Sequence, residues 1–149
     1  MQVKDVMTAD PACCISETTL QEVAKMMIEY DCGEIPVVES EETKVPIGVI
    51  TDRDIVCRTV ARGLNPLDLT VADCMSKPCV TVTPDISIEE CSRILEENKI
   101  RRVPVVDADG SCCGIVALAD IARLANRNLA VEVVKEVSEP SAASSAAGK

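Results

Sequence analysis

The sequence contains almost no aromatic residues and no histidine. Among its 149 residues there is one Tyr and neither Phe nor Trp, so the core must be aliphatic, with Met and Cys. Without histidine, a Ser-His-Asp or Cys-His nucleophile is impossible, and the commonest general base and metal ligand is missing. No G-x-G-x-x-G turn follows a predicted strand, and no P-loop lysine motif occurs. We therefore expect a protein that is not an enzyme.

Positive charge is also scarce. Fifteen Lys and Arg stand against 25 Asp and Glu, a formal net charge of −10. A chain this acidic repels nucleic acid and anionic membrane surfaces, so we expect neither as a partner. No apolar run approaches the roughly 18 residues that span a bilayer, and the segment from Met1 to Asp5 does not resemble a secretory signal. The expected localisation is cytoplasmic.

Cysteine, in contrast, is abundant, with nine residues. No C-x-x-C motif occurs; there are two adjacent pairs, Cys13-Cys14 and Cys112-Cys113, and five single residues, Cys32, Cys57, Cys74, Cys79 and Cys91. Adjacent residues on a strand point to opposite faces, which is poor geometry for chelating one ion, so we expect no metal site. Free Cys as a small apolar residue in a reducing compartment is the favoured interpretation. A thiol redox or metal sensor is the competing hypothesis.

The chain contains the same pattern twice. The matching segments are VKDVMT (residues 3–8) with VADCMS (71–76), IPVV (35–38) with VPVV (103–106), and GVI (48–50) with GIV (114–116). The offset is 68 residues for the first two matches and 66 for the third. The change falls at residues 39–44, where we predict a hairpin loop, because loops tolerate changes of length. The chain is therefore an internal duplication.

Each copy predicts the element order β-α-β-β-α. The predicted strands are 13–15, 35–38 and 47–50 in the first copy and 80–82, 103–106 and 114–117 in the second. The first helix of each copy begins at a capping-box motif, Thr19-x-x-Glu22 or Ser87-x-x-Glu90. The second helix covers about 52–62, ending at Gly63, or begins near 118. The proline in each middle strand is typical of an edge strand or a strand start.

A single copy of about 60 residues has a marginal core. We therefore predict an α+β fold in which two tandem units pack sheet to sheet with pseudo-two-fold symmetry around one continuous core. Unit 1 is residues 1–64 and unit 2 is 65–126. A helical extension covers 127–137, with a break near 126–128 left open, and its apolar face suits a second protomer. Residues 138–149 have a composition typical of disorder.

The duplicated pattern resembles the cystathionine-β-synthase (CBS) domain pair, or Bateman module, over roughly residues 1–126. The residues that carry the resemblance are DVMT (5–8), IPVV (35–38), GVITDRDI (48–55) and their partners in the second copy. The resemblance, to a stand-alone pair of the prokaryotic type, implies a non-catalytic, homodimeric regulatory module. Such a module binds AMP, ADP, ATP or S-adenosylmethionine between its units, senses energy status and regulates another protein.

The family pattern G-h-h-[ST]-x-x-D, where h is apolar, implies a nucleotide site around Thr51 and Asp54. A carboxylate there accepts hydrogen bonds from ribose hydroxyls. The family's phosphate-binding positions in the opposite copy hold Arg101 and Arg102, and guanidinium groups suit phosphate. The adenine would contact Val49, Ile50 and Val80. With so few aromatic residues, we expect no aromatic stacking on the base and modest affinity.

The mirror site is predicted to be degenerate. Asp120 is present, but Ala117 stands where the first copy has Thr51, and the phosphate positions hold Gly33 and Glu34. A glutamate there repels phosphate, so this site is expected to be empty or to take a ligand without phosphate. One alternative is that Asp54, Asp120 and Thr51 only stabilise helix starts, and the chain is a ligand-free structural or dimerisation module. Another is that the ligand is S-adenosylmethionine.

Overall fold

The structure, a computed structural model, describes residues 1–136, with side chains described through residue 127. The α-helices of this part are α1 (Leu20–Glu29), α2 (Asp52–Arg58), α3 (Val71–Cys74), α4 (Ile88–Asn98) and α5 (Leu118–Glu136). Its strands are β1 (Thr8–Ala9), β2 (Glu34–Val38), β3 (Pro46–Thr51), β4 (Arg102–Val106) and β5 (Cys112–Ala117). Short 3-10 turns lie at Val3–Asp5, Val60–Arg62 and Pro66–Asp68. The tail predicted to be disordered lies outside the described residues.

Each unit contains one antiparallel hairpin, β2 with β3 or β4 with β5. The registers are equivalent: Glu34 pairs with Thr51 and Arg102 with Ala117, and both hairpins have an irregularity before their last pair. The predicted loop at 39–44 joins β2 to β3. These features confirm the predicted α+β fold of two tandem units related by pseudo-two-fold symmetry.

Both proline-containing strands lie at sheet edges, as predicted. The strands predicted at 13–15 and 80–82 are only isolated parallel bridges, Cys14 with Val37 and Val82 with Val105. Each bridge is made by two hydrogen bonds: in unit 1 the Cys14 amide donates to the Pro36 carbonyl (3.0 Å), and the Val38 amide donates to the Cys14 carbonyl (2.8 Å). Two hydrogen bonds are too few to extend the sheet by a full strand.

The segments that open the two repeats are exchanged between the units. The Val3 amide donates to the Ile86 carbonyl (3.0 Å), and β1 pairs with β5, so the chain's first nine residues belong to the second unit. Reciprocally, the Val71 amide donates to the Thr18 carbonyl (2.8 Å), and Val71 packs in the first unit. Each unit is therefore completed by chain from the other repeat.

The expectation of one continuous core is wrong, because the buried apolar residues form two clusters. One comprises Cys14, Leu20, Val23, Met27, Ile35, Val37, Ile50, Val71, Cys74 and Met75; the other comprises Val3, Val82, Ile88, Cys91, Leu95, Val103, Val105, Val116, Ile121 and Leu124. Burial alternates along β5, where Cys112, Gly114 and Val116 are buried and the residues between them are half-buried. The half-buried face borders the space between the units.

The close approach of the exchanged segments explains the glycine at the same place in both repeats. A Cβ on Gly48 would lie 2.5 Å from the Ser76 carbonyl oxygen, and a Cβ on Gly114 would lie 2.5 Å from Met7 Sδ. At Gly48 only a residue without a side chain allows the backbone to pass this closely, whereas at Gly114 the nearest obstacle is the Met7 side chain. The two exchanged segments therefore cross their sheets at glycine positions.

The capping boxes predicted at the starts of α1 and α4 are only partly formed. Thr19 and Ser87 cap α1 and α4 by accepting from the amides of Glu22 and Glu90, both at 3.1 Å. The reciprocal half of the predicted capping boxes is absent there, because the Glu22 carboxylate accepts from the Thr19 hydroxyl and the Glu90 carboxylate pairs with Arg93.

The second helix of each copy also differs from prediction. Helix α2 ends four residues early, at Arg58, and a 3-10 turn leads to Gly63, which has the left-handed φ of 74° that glycine favours. Helix α5 is continuous through Glu136. The sequence analysis left open whether this helix breaks near residues 126–128, and no break is present there.

Candidate functional site

A cavity of about 350 Å³ lies between the two units, close to the lower end of the range of small-molecule sites. Its walls come from the exchanged N-terminal segment, the end of α1, three strands and the first turn of α5. The lining residues are Thr8, Asp10, Pro11, Ala12, Tyr30, Asp31, Cys32, Glu34, Ile35, Arg102, Ile115, Ala117, Ala119, Asp120 and Arg123. Both units are therefore needed to form it.

Arg102 and Asp120 are brought together by the hairpin of the second unit. Arg102 begins β4 and pairs with Ala117, the last residue of β5. Helix α5 follows directly, so Asp120 lies one turn beyond Ala117, whose amide donates to Asp120 Oδ2 at 3.4 Å. Arg123 forms an ion pair with Asp120, whose side chain is 23% exposed. One guanidinium and one accessible carboxylate thus face the same cavity.

Glu34 enters this cavity from the first unit. Its Oε2 is buried and has no hydrogen-bond partner among the described residues. Burial raises the pKa of Glu34 to about 7, with Arg102 opposing and Asp54 reinforcing that rise. Burial in the cavity disfavours the charged form of this carboxyl group. A ligand that donates a hydrogen bond to this carboxylate would satisfy it.

The charged side chains that line the cavity are more acidic than basic. Four carboxylates, Asp10, Asp31, Glu34 and Asp120, face two guanidinium groups, Arg102 and Arg123. Even with Glu34 protonated, acids outnumber the two arginines. This balance disfavours a ligand with several phosphates and is compatible with one phosphate held by Arg102, or with an uncharged or cationic ligand.

Thr51 and Asp54 form a reciprocal capping box at the start of α2. Thr51 Oγ1 accepts from the Asp54 amide at 3.0 Å, and Asp54 Oδ2 accepts from the Thr51 amide at 3.1 Å. The Ser76 hydroxyl donates to the same carboxylate at 3.3 Å, and Arg58 lies 3.9 Å from it. Neither Thr51 nor Asp54 lines the inter-unit cavity, and Asp54 is only 15% exposed. The capping role raised as an alternative is therefore real, and ligand contact at these residues stays a prediction.

The predicted grouping of Arg101 and Arg102 with Asp54 stays a prediction; Glu34 interacts electrostatically with both Arg102 and Asp54. Arg102 lines the cavity that contains Asp120, because the antiparallel register places it beside the end of its own hairpin. Arg101 is exposed and does not line that cavity; its carbonyl accepts from the Leu118 amide at 2.8 Å. The mirror grouping of Asp120, Ala117 and Glu34 is seen in one cavity, whereas Gly33 does not line it.

The residues predicted to contact adenine differ in their exposure, and the contact stays a prediction. Ile50 is 0% exposed and packs in the core of the first unit, so its side chain cannot meet a ligand without opening that core. Val49 and Val80 are half-buried; Val49 exchanges backbone hydrogen bonds with Ser76, and Val80 packs against the core of the second unit. None of the three lines the inter-unit cavity.

Sequence reasoning also missed residues that the fold brings in. Tyr30, the only aromatic residue of the chain, lines the cavity and is 56% exposed, so the expectation of no aromatic stacking was premature. Thr8 lines the same cavity, and its repeat partner Ser76 bonds Asp54. The hydroxyl residue at the end of the repeated DVMT and DCMS motifs was the signal for both.

Among the residues whose side chains are described, no group of three or more potential metal ligands is arranged to hold an ion. No helix within residues 1–136 is both long and apolar enough to cross a bilayer.

The fold and the cavity define a tandem-repeat module with a ligand-sized cleft between its units. The sequence profile of the CBS domain matches residues 3–58 and 71–127, which together make up most of the chain. The chain therefore belongs to the CBS domain family.

Similar proteins are found in bacteria and archaea. The CBS domain-containing protein YhcV of Bacillus subtilis is 41% identical over 120 residues, covering 80% of this chain and 82% of YhcV. Hypoxic response protein 1 of Mycobacterium tuberculosis is 34% identical over 142 residues, covering 95% and 97%. The protein MK0525 of Methanopyrus kandleri is 37% identical over 118 residues, and there the match spans 79% of this chain but only 57% of the longer relative.

Solved structures share the fold and carry different ligands. The CBS domain pair of MJ0100, in complex with 5′-methylthioadenosine and S-adenosyl-L-methionine, matches with a TM-score of 0.74 and 28% identity over 83% of this chain and 98% of that one. CBSX2 in complex with AMP matches with a TM-score of 0.71 and 26% identity, covering 85% and 96%. Hypoxic Response Protein I with two coordinated zinc ions matches with a TM-score of 0.73 and 35% identity, covering 83% and 98%.

Proposed function

We propose that this chain is a regulatory module that binds an adenosine-containing ligand in the cavity between its two units, with AMP as the first candidate. The observation that carries the proposal is the juxtaposition of Arg102 and Asp120 in a cavity of about 350 Å³ built from both units. A homologous CBS pair binds AMP and another binds S-adenosylmethionine, which supports an adenosyl ligand in this family.

The chemistry of the lining assigns a part of the ligand to each group. The Asp120 carboxylate is suited to accept from ribose hydroxyls, and such charge-assisted hydrogen bonds contribute roughly 1.5–3 kcal/mol each. Arg102 is suited to one phosphate. Ile115 and the Tyr30 ring offer an apolar surface for the base. The cavity is lined by two arginines and four carboxylates, so its charge favours AMP, which has one phosphate, over ADP and ATP.

S-adenosylmethionine is a second candidate, and Glu34 is the observation that favours it. Its buried, unpartnered Oε2 in the cavity would be stabilised by a cationic or hydrogen-donating group. AMP would instead leave that atom unsatisfied unless it meets the adenine amino group. The two candidates therefore differ in a variant that neutralises Glu34. Glu34→Gln should weaken the binding of S-adenosylmethionine and should not weaken the binding of AMP.

Binding would regulate by bridging the units. A ligand that contacts both units shifts their arrangement only by its differential affinity for the alternatives. With AMP as the ligand, such a module would report energy status to a regulated protein, and a cytoplasmic homodimer is the setting that the sequence suggests. Hexameric CBS-CP12 structures show that relatives form oligomers.

The test is a thermal-shift and calorimetry series with AMP, ATP, adenosine, 5′-methylthioadenosine and S-adenosylmethionine. A ligand at 100 times its Kd should stabilise the fold by about 2.7 kcal/mol. Asp120→Asn should weaken binding of the active ligand about tenfold or more, whereas Asp54→Asn tests the site first expected from the sequence. Loss with Asp54→Asn alone would place binding outside the described cavity, and no response to any of the five ligands would contradict the proposal.

A further inference from the structure

Two cysteine side chains from different units meet at the edge of the inter-unit contact. Cys13 follows the exchanged N-terminal segment in the first unit, and Cys112 begins β5 in the second. The two side chains are neighbours, because β1 pairs with β5, the Asp10 amide extends that pairing to the Cys113 carbonyl (3.1 Å), and the chain then continues to Cys13. The Cys13 thiol donates to the Pro11 carbonyl at 3.4 Å, and the Cys112 thiol donates to the Gly114 carbonyl at 3.5 Å. The backbone holds the two units together at the same point, because the Cys112 amide donates to the Lys44 carbonyl at 2.8 Å and the Ser111 hydroxyl donates to the Thr43 carbonyl at 2.6 Å.

Cys13 is accessible from solvent. A second cavity, of about 310 Å³, is lined by Pro11, Ala12, Cys13, Cys14, Ile15, Val38, Glu41 and Lys44. Cys13 is half-buried, and the side chain of Lys44 is exposed beside it. A small oxidant can therefore reach the Cys13 sulfur, while Cys112, which is buried, is reached through Cys13.

The two thiols have different acidities. The neighbouring Cys112 side chain lowers the pKa of Cys13, and the ammonium of Lys44 lowers it further, against the opposing effects of burial and Cys14. The Cys13 side chain, together with burial, raises the pKa of Cys112. Burial raises the pKa of Cys14 to about 12 and of Cys79 to about 11. Because the thiolate is the nucleophile, Cys13 is the group suited to attack first.

We propose that Cys13 and Cys112 are a peroxide-oxidisable thiol pair that closes to a disulfide joining the two units. The Cys13 thiolate attacks one oxygen of a hydroperoxide R–O–OH, the O–O bond breaks, and Cys13 becomes a sulfenic acid while the alcohol (or water, for hydrogen peroxide) leaves with a solvent proton. The Cys112 sulfur then attacks the sulfenic sulfur, the S–O bond breaks, and water leaves. Two thiols and one hydroperoxide thus give one disulfide, one alcohol and one water.

Because the two cysteine side chains are neighbours at the contact between the units, closing this bond requires rotation about their χ1 angles that brings the sulfurs to the S–S distance of about 2.05 Å. The two cavities share Pro11 and Ala12, so the disulfide would fix a wall of the inter-unit cavity. The proposal does not depend on the ligand, because oxidation is measured without it.

The test oxidises the reduced full chain with one equivalent of hydrogen peroxide. Free thiols, counted after denaturation, should fall from the nine in the sequence to seven, and a non-reducing digest should contain a peptide pair linking residues 5–25 to 103–123. Cys13→Ala and Cys112→Ala should abolish this intramolecular link, and Cys112→Ala should accumulate a Cys13 sulfenic acid that dimedone captures. Cys113→Ala and Cys57→Ala are matched controls that should retain the link.

Three results would overturn the proposal. One is an intact thiol count after oxidation of the wild-type chain. Another is a linked peptide pair that survives in either Cys13→Ala or Cys112→Ala, because the bond would then involve Cys14 or Cys113. The third is oxidation that gives only disulfide-linked dimers, which disappear in Cys57→Ala. Circular dichroism of each reduced variant confirms that it is folded before the comparison.

Discussion

Glu34 and Arg102 stand at equivalent positions of the two repeats, 68 residues apart, and line the same cavity from the two units. Each begins the first strand of its hairpin and pairs with the last residue of the second strand. The pseudo-symmetry thus brings a carboxylate and a guanidinium together in the cleft. The duplicated fold has become chemically asymmetric at this point, and the asymmetry allows the two sides to be tested separately.

The first prediction concerns Glu34 and pH. Its pKa is raised to about 7 in the folded state, so between about pH 4.5 and pH 7 the folded state retains a proton that the unfolded chain releases. The free energy of unfolding should therefore fall as pH rises through this window, by at most about 3 kcal/mol for this residue. Glu34→Gln should remove that part of the fall, as measured by urea unfolding at pH 5 and pH 8. Glu39→Gln, at an exposed position, is the control, and equal pH dependence of wild type and Glu34→Gln would contradict the prediction.

The second prediction separates the two arginines by ligand. Arg102→Met should weaken AMP binding by roughly 10- to 100-fold, the equivalent of one lost charge-assisted contact, and should leave adenosine binding nearly unchanged. Arg101→Met, an adjacent variant of the same chemistry at an exposed position outside the cavity, should affect neither ligand. Calorimetry with both ligands measures this, and a larger loss from Arg101→Met would restore the grouping first expected from the sequence.

The third prediction concerns the glycines over which the exchanged segments cross. Gly114→Ala should destabilise the fold by about 1–3 kcal/mol, because the new methyl group would overlap Met7 Sδ. Adding Met7→Ala should recover part of that loss, since the obstacle is a side chain. Gly48→Ala meets the Ser76 carbonyl oxygen at 2.5 Å, and Met75→Ala should not rescue it because the backbone obstacle remains. Chemical denaturation of the four variants gives the comparison, and equal rescue in both pairs would disprove the assigned cause.

The fourth prediction addresses the cap of α2. Thr51→Ala removes the hydroxyl that accepts from the Asp54 amide and should lower the free energy of unfolding by about 1 kcal/mol. Thr51→Ser keeps that oxygen and should cost less than half as much. Thermal unfolding without any ligand measures the structural role alone. If Thr51→Ala left stability unchanged, the capping box would contribute nothing and the residue's purpose would have to lie elsewhere.

The hairpins could be predicted from the sequence because their pattern is local and occurs twice. Each hairpin, β2–β3 or β4–β5, is indicated by apolar runs, a strand proline and a turn of variable length. All of these signals lie within the hairpin's own sequence. Which unit the segment at residues 3–9 joins is decided by contacts with Ile86 and β5, far along the chain. Nothing within that segment distinguishes pairing in its own repeat from exchange, so the exchange could not be predicted.

The sequence predicted which residues are candidates for the site better than it predicted which of them share a cavity. The family pattern marks Asp54, Asp120, Arg102 and Glu34, and the last three do line one cavity. Their grouping follows from strand register and from the crossing of the units, which place Arg102 beside Ala117. Tyr30 was overlooked because a single aromatic residue at a helix C-terminus has no periodic signal, and only the fold shows that α1 ends at the cavity.

The exchange of the opening segments has a consequence for how this protein can be divided. A fragment that ends after the first repeat lacks Val71 and Met75, which fill its own interior, and carries Val3 with no hydrophobic partner. A fragment of the second repeat alone lacks the strand that borders β5. We therefore expect neither half to fold alone, and the pair should denature in a single cooperative transition.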